Sequence, residues 1–268
     1  MAIGTLIKAP NVAVDPVPVV EGASPRALPK LLPLEAPGAV PAHRVTFIVP
    51  VHNEERTVGQ VLDLVSGLDL DKQVLVVDDG SIDGTASVLA AWERNDDVHV
   101  IRQPNRGKGA AIRAAIPFVD GDIVVIQDAD MEYDPADVPV LIDPIVRGVA
   151  DVVFGSRLTG GRPQRAHMFW HKVGNQFLSL LTSVLFNTTL SDMETGYKAF
   201  RADVLRSLNL RQSDFSIEPE ITGKVCKRRL RIYEIPISYY GRTYDEGKKI
   251  TWRDGVQAVR VLLAVRLS

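Results

Sequence analysis

Apolar residues recur along the chain in two alternating patterns, short continuous runs and longer stretches with helical spacing. The short runs, rich in Val and Ile, predict buried strands at residues 45–49, 74–77, 98–101 and 123–126. Apolar positions three and four residues apart predict helices between them, at 57–68, 85–94 and 110–118. Strands that alternate with helices favour right-handed βαβ units and a parallel α/β sheet with helices on both faces.

The remainder of the chain is less regular. Further helices are predicted at 137–147, 170–186, 202–208, 217–228 and 252–265, and further strands at 152–154 and 232–239. Pro236 cannot donate a ladder hydrogen bond, so the last strand is predicted at an edge or a bulge. Residues 1–42 carry eight of the 17 prolines without usable periodicity, which predicts an extended, polyproline-prone arm.

Three acidic residues follow the strand at 123–126. Asp128, Asp130 and Glu132 share a parity in an extended chain, which predicts that their carboxylates converge on one point. Like charges held that close need a cation between them, and hard oxygen ligands select Mg²⁺ or Mn²⁺, the usual companions of a substrate phosphate. An isolated Asp-X-Asp is more often a solvated turn, so the other residues near the strand ends decide the interpretation.

Further polar residues are expected on the same rim, because ligands of parallel α/β sheets bind at the C-terminal ends of the strands. These candidates include His52, Glu54 and Asp79. Asp78 and Asp79 suit hydrogen bonds to the base or ribose of a nucleotide. The alternative is a helix N-terminal cap, formed with Ser81 or Asp83.

Two basic features also lie near predicted strand ends. The loop at 105–109 contains Gly107-Lys108-Gly109 but lacks Walker A spacing, and the chain has no Gly-X-Gly-X-X-Gly dinucleotide fingerprint. Arg157 follows the strand at 152–154, where it is expected to face a phosphate or to form a surface ion pair.

Composition narrows the class of protein. A chain of 268 residues with 46% hydrophobic content can bury a large core, which excludes disorder of the whole. The net charge of −2 gives no reason to expect nucleic acid as a partner. The single cysteine, Cys226, fits a reducing compartment. No uncharged apolar run of about 18 residues predicts a spanning helix, and no signal-peptide pattern begins the sequence, so a cytoplasmic location is predicted.

Taken together, the motifs resemble those of a known family. Four of them resemble motifs of glycosyltransferase family 2 enzymes: His52-Asn53-Glu54, residues 77–85, residues 105–109 and Gln127-Asp128-Ala129-Asp130. These enzymes have the GT-A fold, which is a Rossmann-like, mostly parallel sheet flanked by helices. Those that resemble dolichyl- or polyprenyl-phosphate mannose and glucose synthases are Gly155-Ser156-Arg157, Ser191-Asp192, residues 195–198, and Glu234-Ile235-Pro236-Ile237 with Arg242 and Lys248. The resemblance implies one GT-A domain at 43–251, preceded by the arm at 1–42 and followed by an amphipathic helix at 252–268.

The resemblance also implies an activity and a set of residues. The activity is inverting, metal-dependent transfer of a hexose from a nucleotide sugar, of the GDP-mannose or UDP-glucose type, to a polyprenyl or dolichyl phosphate. The residues implied to bind the donor are Pro50, His52, Glu54, Val77, Asp79, Asp128, Ala129, Asp130, Arg157, Arg242 and Lys248. Asp128, Asp130 and Glu132 would hold Mg²⁺ or Mn²⁺, while Arg157, Arg242 and Lys248 would surround the donor diphosphate and the acceptor phosphate.

Three alternative functions stay open at this point. The first is transfer to a hydroxyl of a small soluble or glycan acceptor, for which Asp192 is the candidate base. The second is a nucleotidyltransferase, which would release pyrophosphate instead of a nucleoside diphosphate. The third is a catalytically silent module that binds nucleotide sugars.

Two helices carry an expectation about location. The helix predicted at 177–186 is apolar. The C-terminal helix carries Val256, Val259, Leu262 and Leu263 on one side, with Arg253, Arg260 and Arg266 available to headgroups. Together they predict peripheral contact with the inner face of a membrane. The alternative is that both helices simply pack on the sheet, which would bury their apolar sides.

Overall fold

A computed structural model describes residues 43–166, 169–242 and 252–268. Its strands are β1 Val45–Val51, β2 Lys72–Asp79, β3 Val98–Gln103, β4 Ile123–Ile126, β5 Val152–Ser156, β6 Lys198–Arg201 and β7 Ile232–Pro236. They form one sheet with the order β3-β2-β1-β4-β6-β5-β7. All neighbours are parallel except β6, which is antiparallel to both β4 and β5. The predicted α/β fold with a mostly parallel sheet is therefore confirmed.

Helices connect the strands and cover both faces of the sheet. They are α1 Val58–Ser66, α2 Thr85–Trp92, α3 Lys108–Ala115, α4 Val138–Val146, α5 Phe169–Phe186, α6 Ala202–Ser207, α7 Ile217–Lys227 and α8 Trp252–Leu267. Alternate residues of β1 point to opposite faces: Phe47 packs in the core beneath α1 and α4, whereas Ile48 packs in the core beneath α3 and α7. Burial on both faces explains why β1 and β2 read as unbroken apolar runs.

Strand β6 was missed by the sequence patterns. Its four residues lie inside the segment 195–201, whose polar and aromatic residues hide any period. The strand prediction at 232–239 was too long, because β7 ends at Pro236. The prediction of an edge position is confirmed, since β7 pairs only with β5 at one end of the described sheet.

The C-terminal helix α8 packs against α5 and α7. Its buried residues are Ala258, Val261, Leu262 and Val265, whereas Val256 and Leu263 are exposed. The prediction of this apolar side was therefore wrong in part, because Leu262 is the one residue of that set that is fully buried. The side of α8 that is buried is set by the positions of α5 and α7, and not by where Val and Leu occur in the sequence.

Some expectations fall outside the described residues. The proline-rich arm at 1–42 and Lys248 are among them. Of the helices within the described ranges, none is both long and apolar enough to cross a membrane.

Candidate active site

A cavity of about 320 Å³ opens at the C-terminal ends of β1, β2 and β4. β2 and β3 lie on one side of β1, whereas β4 and the later strands lie on the other, so the strand order reverses at β1. Ligands of open α/β sheets bind at the carboxyl ends of the strands beside such a reversal. The predicted site residues that line it are Pro50, His52, Glu54, Asp79, Asp128, Ala129, Asp130, Glu132, Arg157 and Arg242. Residues from five separate segments thus meet at one place, as their positions at strand ends predicted.

Val77 is an exception. Its side chain is fully buried in the core with Ala111 and Ile112 of α3, and it is not part of the cavity lining. The side chain of Val77 therefore does not reach the cavity, and its predicted contact with the donor stays a prediction. Val77 shares its side of β2 with Asp79 but lies two residues before the end of the strand, where α3 covers it.

Asp79 supports the loop that follows β3. Its Oδ1 accepts hydrogen bonds from Gln103 Nε2 at 2.6 Å and from the Arg106 N–H at 2.9 Å, and its Oδ2 accepts from the Gly107 N–H at 2.7 Å. The residue is buried, so these neutral partners replace the water that its carboxylate loses. Asp78 instead accepts from the N–H of Ser81, and Asp83 accepts from the N–H of Thr85 at the start of α2.

His52 is held between β2 and the same loop. Its Nδ1 lies 2.9 Å from the Asp79 carbonyl oxygen, which can only accept, so Nδ1 carries the proton. Its Nε2 then accepts from Asn105 Nδ2 at 3.1 Å and from Asn53 Nδ2 at 3.2 Å. We call His52, Asp79 and Asn105 the strand-end wall of the cavity.

The three acids after β4 do not continue the strand. The chain turns at Ala129 and Asp130, and Met131 has a positive φ of 61°. The parity argument for Asp128, Asp130 and Glu132 was therefore wrong, because it assumed an extended chain. Within the described ranges, no group of three His, Cys, Asp or Glu side chains is arranged to hold a metal ion.

Both carboxylate oxygens of Glu132 are engaged by residues that follow β7. Its Oε2 accepts from the Tyr239 hydroxyl at 2.8 Å, and its Oε1 accepts from the Arg242 N–H at 2.6 Å. Both oxygens are therefore engaged in ordering the segment after β7, which argues against the predicted role of Glu132 as a metal ligand. The Arg242 side chain extends from this segment across the cavity, donating to both carboxylate oxygens of Glu54 and to the Asp130 carbonyl oxygen.

Asp130 keeps an unusual carboxyl group. Burial, together with the nearby negative charges of Asp128 and Glu132, raises its pKa to about 7. Its Oδ1 accepts one hydrogen bond, from the Glu132 N–H at 3.1 Å. A carboxylate crowded by other carboxylates is stabilised by any cation that enters, so Asp130 retains the chemistry expected of a cation ligand.

The inner end of the cavity is ionic. The Lys108 ammonium lies 2.7 Å from Asp128 Oδ1 and 3.2 Å from Glu218 Oε1. Behind it, the fully buried Lys198 ammonium lies 2.6 Å from Glu218 Oε2. We call Lys108, Asp128, Glu218 and the nearby Glu194 the ionic floor, with Lys198 as its support. Although burial favours the neutral acid, the two lysines lower the pKa of Glu218.

Gly196 packs closely against the ionic floor. A Cβ placed there would lie 2.6 Å from Asp128 Oδ2 and 2.8 Å from Lys108 Nζ. The Gly196 N–H donates to the Tyr133 hydroxyl at 2.9 Å. The Tyr133 ring in turn stacks on Tyr197 at 5.0 Å between centroids, so these aromatic side chains hold the Gly196 backbone in place.

Arg157 is buried and paired with Asp192. Its Nε and NH2 groups donate to the two oxygens of Asp192 at 2.7 Å each, and Asn175 Nδ2 donates to Asp192 Oδ1 at 2.8 Å. Burial opposes ionisation, but the Arg157 guanidinium outweighs it and lowers the pKa of Asp192. Of the two roles expected for Arg157, the surface ion pair is wrong. Asp192, which does not line the cavity, is poorly suited to act as a base because its oxygens are already engaged.

Several lining residues were not predicted, among them Lys108, Tyr133, Glu194, Phe215, Glu218 and Tyr239. Lys108 belongs to the loop at 105–109, and its position after β3 was the sequence feature that could have identified it as a lining residue. Glu218 lies in the first turn of α7, where the helix dipole favours an acid. No local pattern distinguishes such an acid from one that faces a cavity, because the difference depends on what packs against the helix.

Comparison with known proteins gives a consistent result. A family model described as glycosyl transferase family 2 matches residues 46–208. The undecaprenyl-phosphate mannosyltransferase of Micrococcus luteus is 30% identical over 213 residues, which are 76% of this chain and 87% of that protein. Glycosyltransferase AglJ of Haloferax volcanii is 29% identical over 199 residues, 74% of this chain. The chain spans 63% of the length of AglJ and 54% of that of hexosyltransferase Agl6 from the same organism.

Solved structures show the same fold. Glucosyl-3-phosphoglycerate synthase from Mycobacterium tuberculosis, in complex with Mn²⁺, UDP and glucosyl-3-phosphoglycerate, superimposes with a TM-score of 0.62 and 22% sequence identity. The match covers 84% of this chain and 80% of that one. At this identity the likeness establishes the architecture of the sheet and its helices, and not the substrates.

Proposed function

Because the chain belongs to glycosyl transferase family 2, we propose that it transfers a hexose from a nucleotide sugar to a polyprenyl phosphate. One observation carries the proposal: a single cavity brings the carboxylates of Asp128 and Asp130 together with the guanidinium groups of Arg157 and Arg242. A diphosphate with its cation, and a second phosphate beside it, require this combination of charges. The mannosyltransferase relative from Micrococcus luteus, named for an undecaprenyl-phosphate substrate, supports the acceptor class.

The residues present fit a divalent cation of the Mg²⁺ or Mn²⁺ type. Such ions are commonly held by one or two carboxylates, with waters and substrate phosphates completing the ligand set. Asp128 and Asp130 would supply these carboxylates, and Asp130 is the better candidate because Lys108 already contacts both oxygens of Asp128. When bound, the cation would neutralise charge that develops on the leaving diphosphate.

The protein's own contribution is to stabilise two phosphate groups. In the proposed reaction an acceptor phosphate oxygen forms a bond to the anomeric carbon while the bond to the diphosphate oxygen breaks, and the nucleoside diphosphate leaves with the electron pair. Arg157 and Arg242 would stabilise the charges, as fixed cations do in other active sites. Since a phosphate oxygen is already anionic, no base is required, which agrees with the engagement of Asp192 by Arg157.

The test is a product assay with several donors and two classes of acceptor. Purified protein with Mn²⁺ is incubated with GDP-mannose or UDP-glucose and a short-chain prenyl phosphate, beside simple hydroxyl acceptors. The proposal expects a prenyl-phosphate sugar and a nucleoside diphosphate in equal amounts. Turnover only with hydroxyl acceptors would contradict the lipid assignment, and release of pyrophosphate would indicate a nucleotidyltransferase.

We also propose that α5 rests on the inner face of a membrane, where such an acceptor is found. The side chains of Phe169, Trp170, Phe177, Leu180 and Val184 are between 58% and 77% exposed. Most of them recur every three or four residues, so they form one apolar stripe along the helix. Leu178, Ser179 and Thr182, on the other side of α5, are buried against the rest of the protein.

The charge around the α5 stripe favours a bilayer over a second copy of the chain. Residues 152–191 contain no Asp or Glu, and the exposed basic residues Arg162, Arg165 and Lys172 lie near the N-terminal end of the helix. Anionic headgroups attract such a surface, whereas two copies would bring like charges together.

Vesicle flotation tests the location. We expect the protein to float with vesicles that contain phosphatidylglycerol, and the double variant Phe177→Glu, Leu180→Glu to remain in solution. Ile82→Glu is the matched control, because Ile82 is 90% exposed elsewhere on the surface. Flotation of the double variant to the same extent as wild type, or a lipid-independent dimer that the double variant disrupts, would contradict this role for α5.

A further inference from the structure

Glu194 has an acceptor oxygen that nothing in the described chain satisfies. It lies in the segment that leads to β6 and lines the inner end of the cavity. Its Oε1 atom is buried and has no hydrogen-bond partner among the described residues. Burial, only partly offset by the Lys198 charge, raises the pKa of Glu194 to about 7. Leaving such a group unpaired costs free energy, so an unmet acceptor beside a cavity points to a donor that arrives with a ligand.

The neighbouring lysines have no donor to spare for Glu194. An ammonium group has three N–H donors. Lys198 directs its donors to Glu218 and to the carbonyl oxygens of Met193 and Thr195. Lys108 is engaged by Asp128 and Glu218. Both ammonium groups are therefore directed to other oxygens, and Glu194 Oε1 is left without a hydrogen-bond donor among the described residues.

The position of Glu194 indicates which part of a nucleotide sugar it would meet. The strand-end wall lies at the ends of β1 and β2, and the acids Asp128 and Asp130 follow β4. With the nucleoside at that wall and the diphosphate beside those acids, the sugar extends farther, toward Glu194 and Gly196. An acceptor phosphate would be repelled by Glu194 and Glu218, and attracted to Arg157 and Arg242.

We propose that Glu194 accepts a hydrogen bond from a hydroxyl of the transferred sugar, and that the ionic floor thereby selects a neutral sugar over a uronic acid. This inference rests on the proposed function, since it assumes a nucleotide-sugar donor. Sugar hydroxyls donate hydrogen bonds that Glu194 lacks, whereas the carboxylate of a uronic acid would bring another negative charge next to Asp128, Glu194 and Glu218.

Binding measurements separate the sugar from the nucleotide. Wild type, Glu194→Gln and Glu194→Ala are titrated with Mn²⁺ and two matched sets of ligands. The first set is UDP, UDP-glucose and UDP-glucuronic acid, and the second is GDP, GDP-mannose and GDP-mannuronic acid. We expect wild type to bind the neutral donor of its preferred base at least about tenfold more tightly than the uronic donor.

The variants sharpen the expectation. Glu194→Ala should bind the nucleoside diphosphate as wild type does but lose about tenfold in affinity for the neutral donor, as expected for one hydrogen bond to a charged group. Glu194→Gln keeps an acceptor oxygen and should lose less. Both variants should discriminate less against the uronic donor, because the negative charge has gone.

A matched control is Glu220→Gln. Glu220 is also buried, but it accepts from the N–H groups of Arg211 and Gln212 and does not line the cavity. This variant should be less stable to heat yet keep the wild-type difference between neutral and uronic donors. Any change in sugar affinity that Glu220→Gln shares would assign the effect to general loosening of α7 and would overturn the role of Glu194.

Other outcomes also overturn the inference. Equal affinity of wild type for neutral and uronic donors would do so, as would an unchanged preference in Glu194→Ala. Slower turnover in Glu194→Gln with unaltered donor binding would assign Glu194 to proton transfer instead. If wild type bound the nucleoside diphosphates and the nucleotide sugars with equal affinity, only this inference would fail. If it bound neither, the proposed function would fail with it.

Discussion

The two ends of the cavity are built from different interactions. At the strand-end wall, Asp79 and His52 are held by backbone groups and neutral amides. At the ionic floor, Lys108, Asp128 and Glu218 are held by one another, with Lys198 behind them. The wall thus depends on the loop that follows β3, whereas the floor depends on charges that balance only when several elements are in place.

This difference predicts different responses to substitution. A hydrogen bond from a neutral donor to a carboxylate contributes roughly 1.5 to 3 kcal/mol, and its loss is felt locally. Removing one member of a buried ion pair costs roughly 3 to 5 kcal/mol, because the partner charge is left buried and unpaired. Variants of the floor should therefore change stability and variants of the wall chiefly ligand binding, while residues between the two should change activity alone.

The largest expected effect is at Asp130, between the wall and the floor. Asp130→Asn should reduce transfer at least about a thousandfold, ~4 kcal/mol, because it removes the charge that would bind a cation beside the diphosphate. Its thermal stability should be unchanged or higher, since a buried charge disappears. The measurement is product formation with Mn²⁺, in parallel with thermal unfolding.

Asp134→Asn is the control for Asp130→Asn. Asp134 lies four residues along the same segment, where its Oδ1 caps the following turn through the Ala136 N–H at 2.9 Å, and Asn can do the same. It should retain wild-type turnover. Full activity of Asp130→Asn, or undiminished wild-type turnover in excess chelator, would remove the cation from the mechanism.

The floor is tested by Lys198→Met. Glu218 would lose its contact at 2.6 Å with a fully buried ammonium, so the free energy of unfolding should fall by roughly 3 to 5 kcal/mol at pH 7. Urea unfolding measures the change. Glu93→Gln removes a surface ion pair with Arg102 and should change stability by less than about 1 kcal/mol. Equal losses in the two variants would contradict the difference between buried and exposed pairs.

The same pair predicts a dependence on pH. Two lysines lower the pKa of Glu218 in the folded protein, so its ionised form is favoured by folding. That stabilisation is fully present above the ordinary pKa of a glutamate, about 4.3, and is lost as the pH falls through the lower folded value. The part of the stability gap between wild type and Lys198→Met that Glu218 supplies should therefore shrink as the pH falls below about 4. A gap that widened in acid would contradict the assignment.

Arg242→Ala should have an intermediate effect. The substitution removes a cation that links Glu54 to the Asp130 carbonyl oxygen, so kcat/KM should fall by on the order of 10²-fold, ~3 kcal/mol. Arg242→Lys should recover only part of the loss, because an ammonium cannot reproduce the paired contacts with Glu54. Comparable kinetics in Arg242→Ala and wild type would show that the contact plays no part in the reaction.

The smallest effect is expected at the wall. Asp79→Asn keeps one acceptor oxygen but presents an amide N–H to one of its two backbone donors, which should cost about 1 to 2 kcal/mol. Nucleoside diphosphate binding, measured by calorimetry, should weaken about tenfold, while the free energy of unfolding should fall by no more than these 1 to 2 kcal/mol. A loss of stability as large as that of Lys198→Met would erase the distinction between wall and floor.

The sequence by itself determined the frame of the protein. Unbroken apolar runs predicted the buried parallel strands, and the positions after them predicted which polar residues reach the rim. His52, Asp79, Asp128 and Asp130 were found in this way because a strand end is a local feature. The resemblance to glycosyltransferase family 2 rested on the same strand-end motifs, and the family match confirmed it.

Tertiary structure decided which side chains meet. Lys108 pairs with Glu218 across 110 positions, and Arg242 pairs with Glu54 across 188, distances over which no periodicity carries information. After the turn at Met131, both carboxylate oxygens of Glu132 accept hydrogen bonds from the distant residues Tyr239 and Arg242. A buried charge takes the partner that packing places beside it, because in a low-dielectric interior an unpaired ion costs more than the local chain preferences can supply.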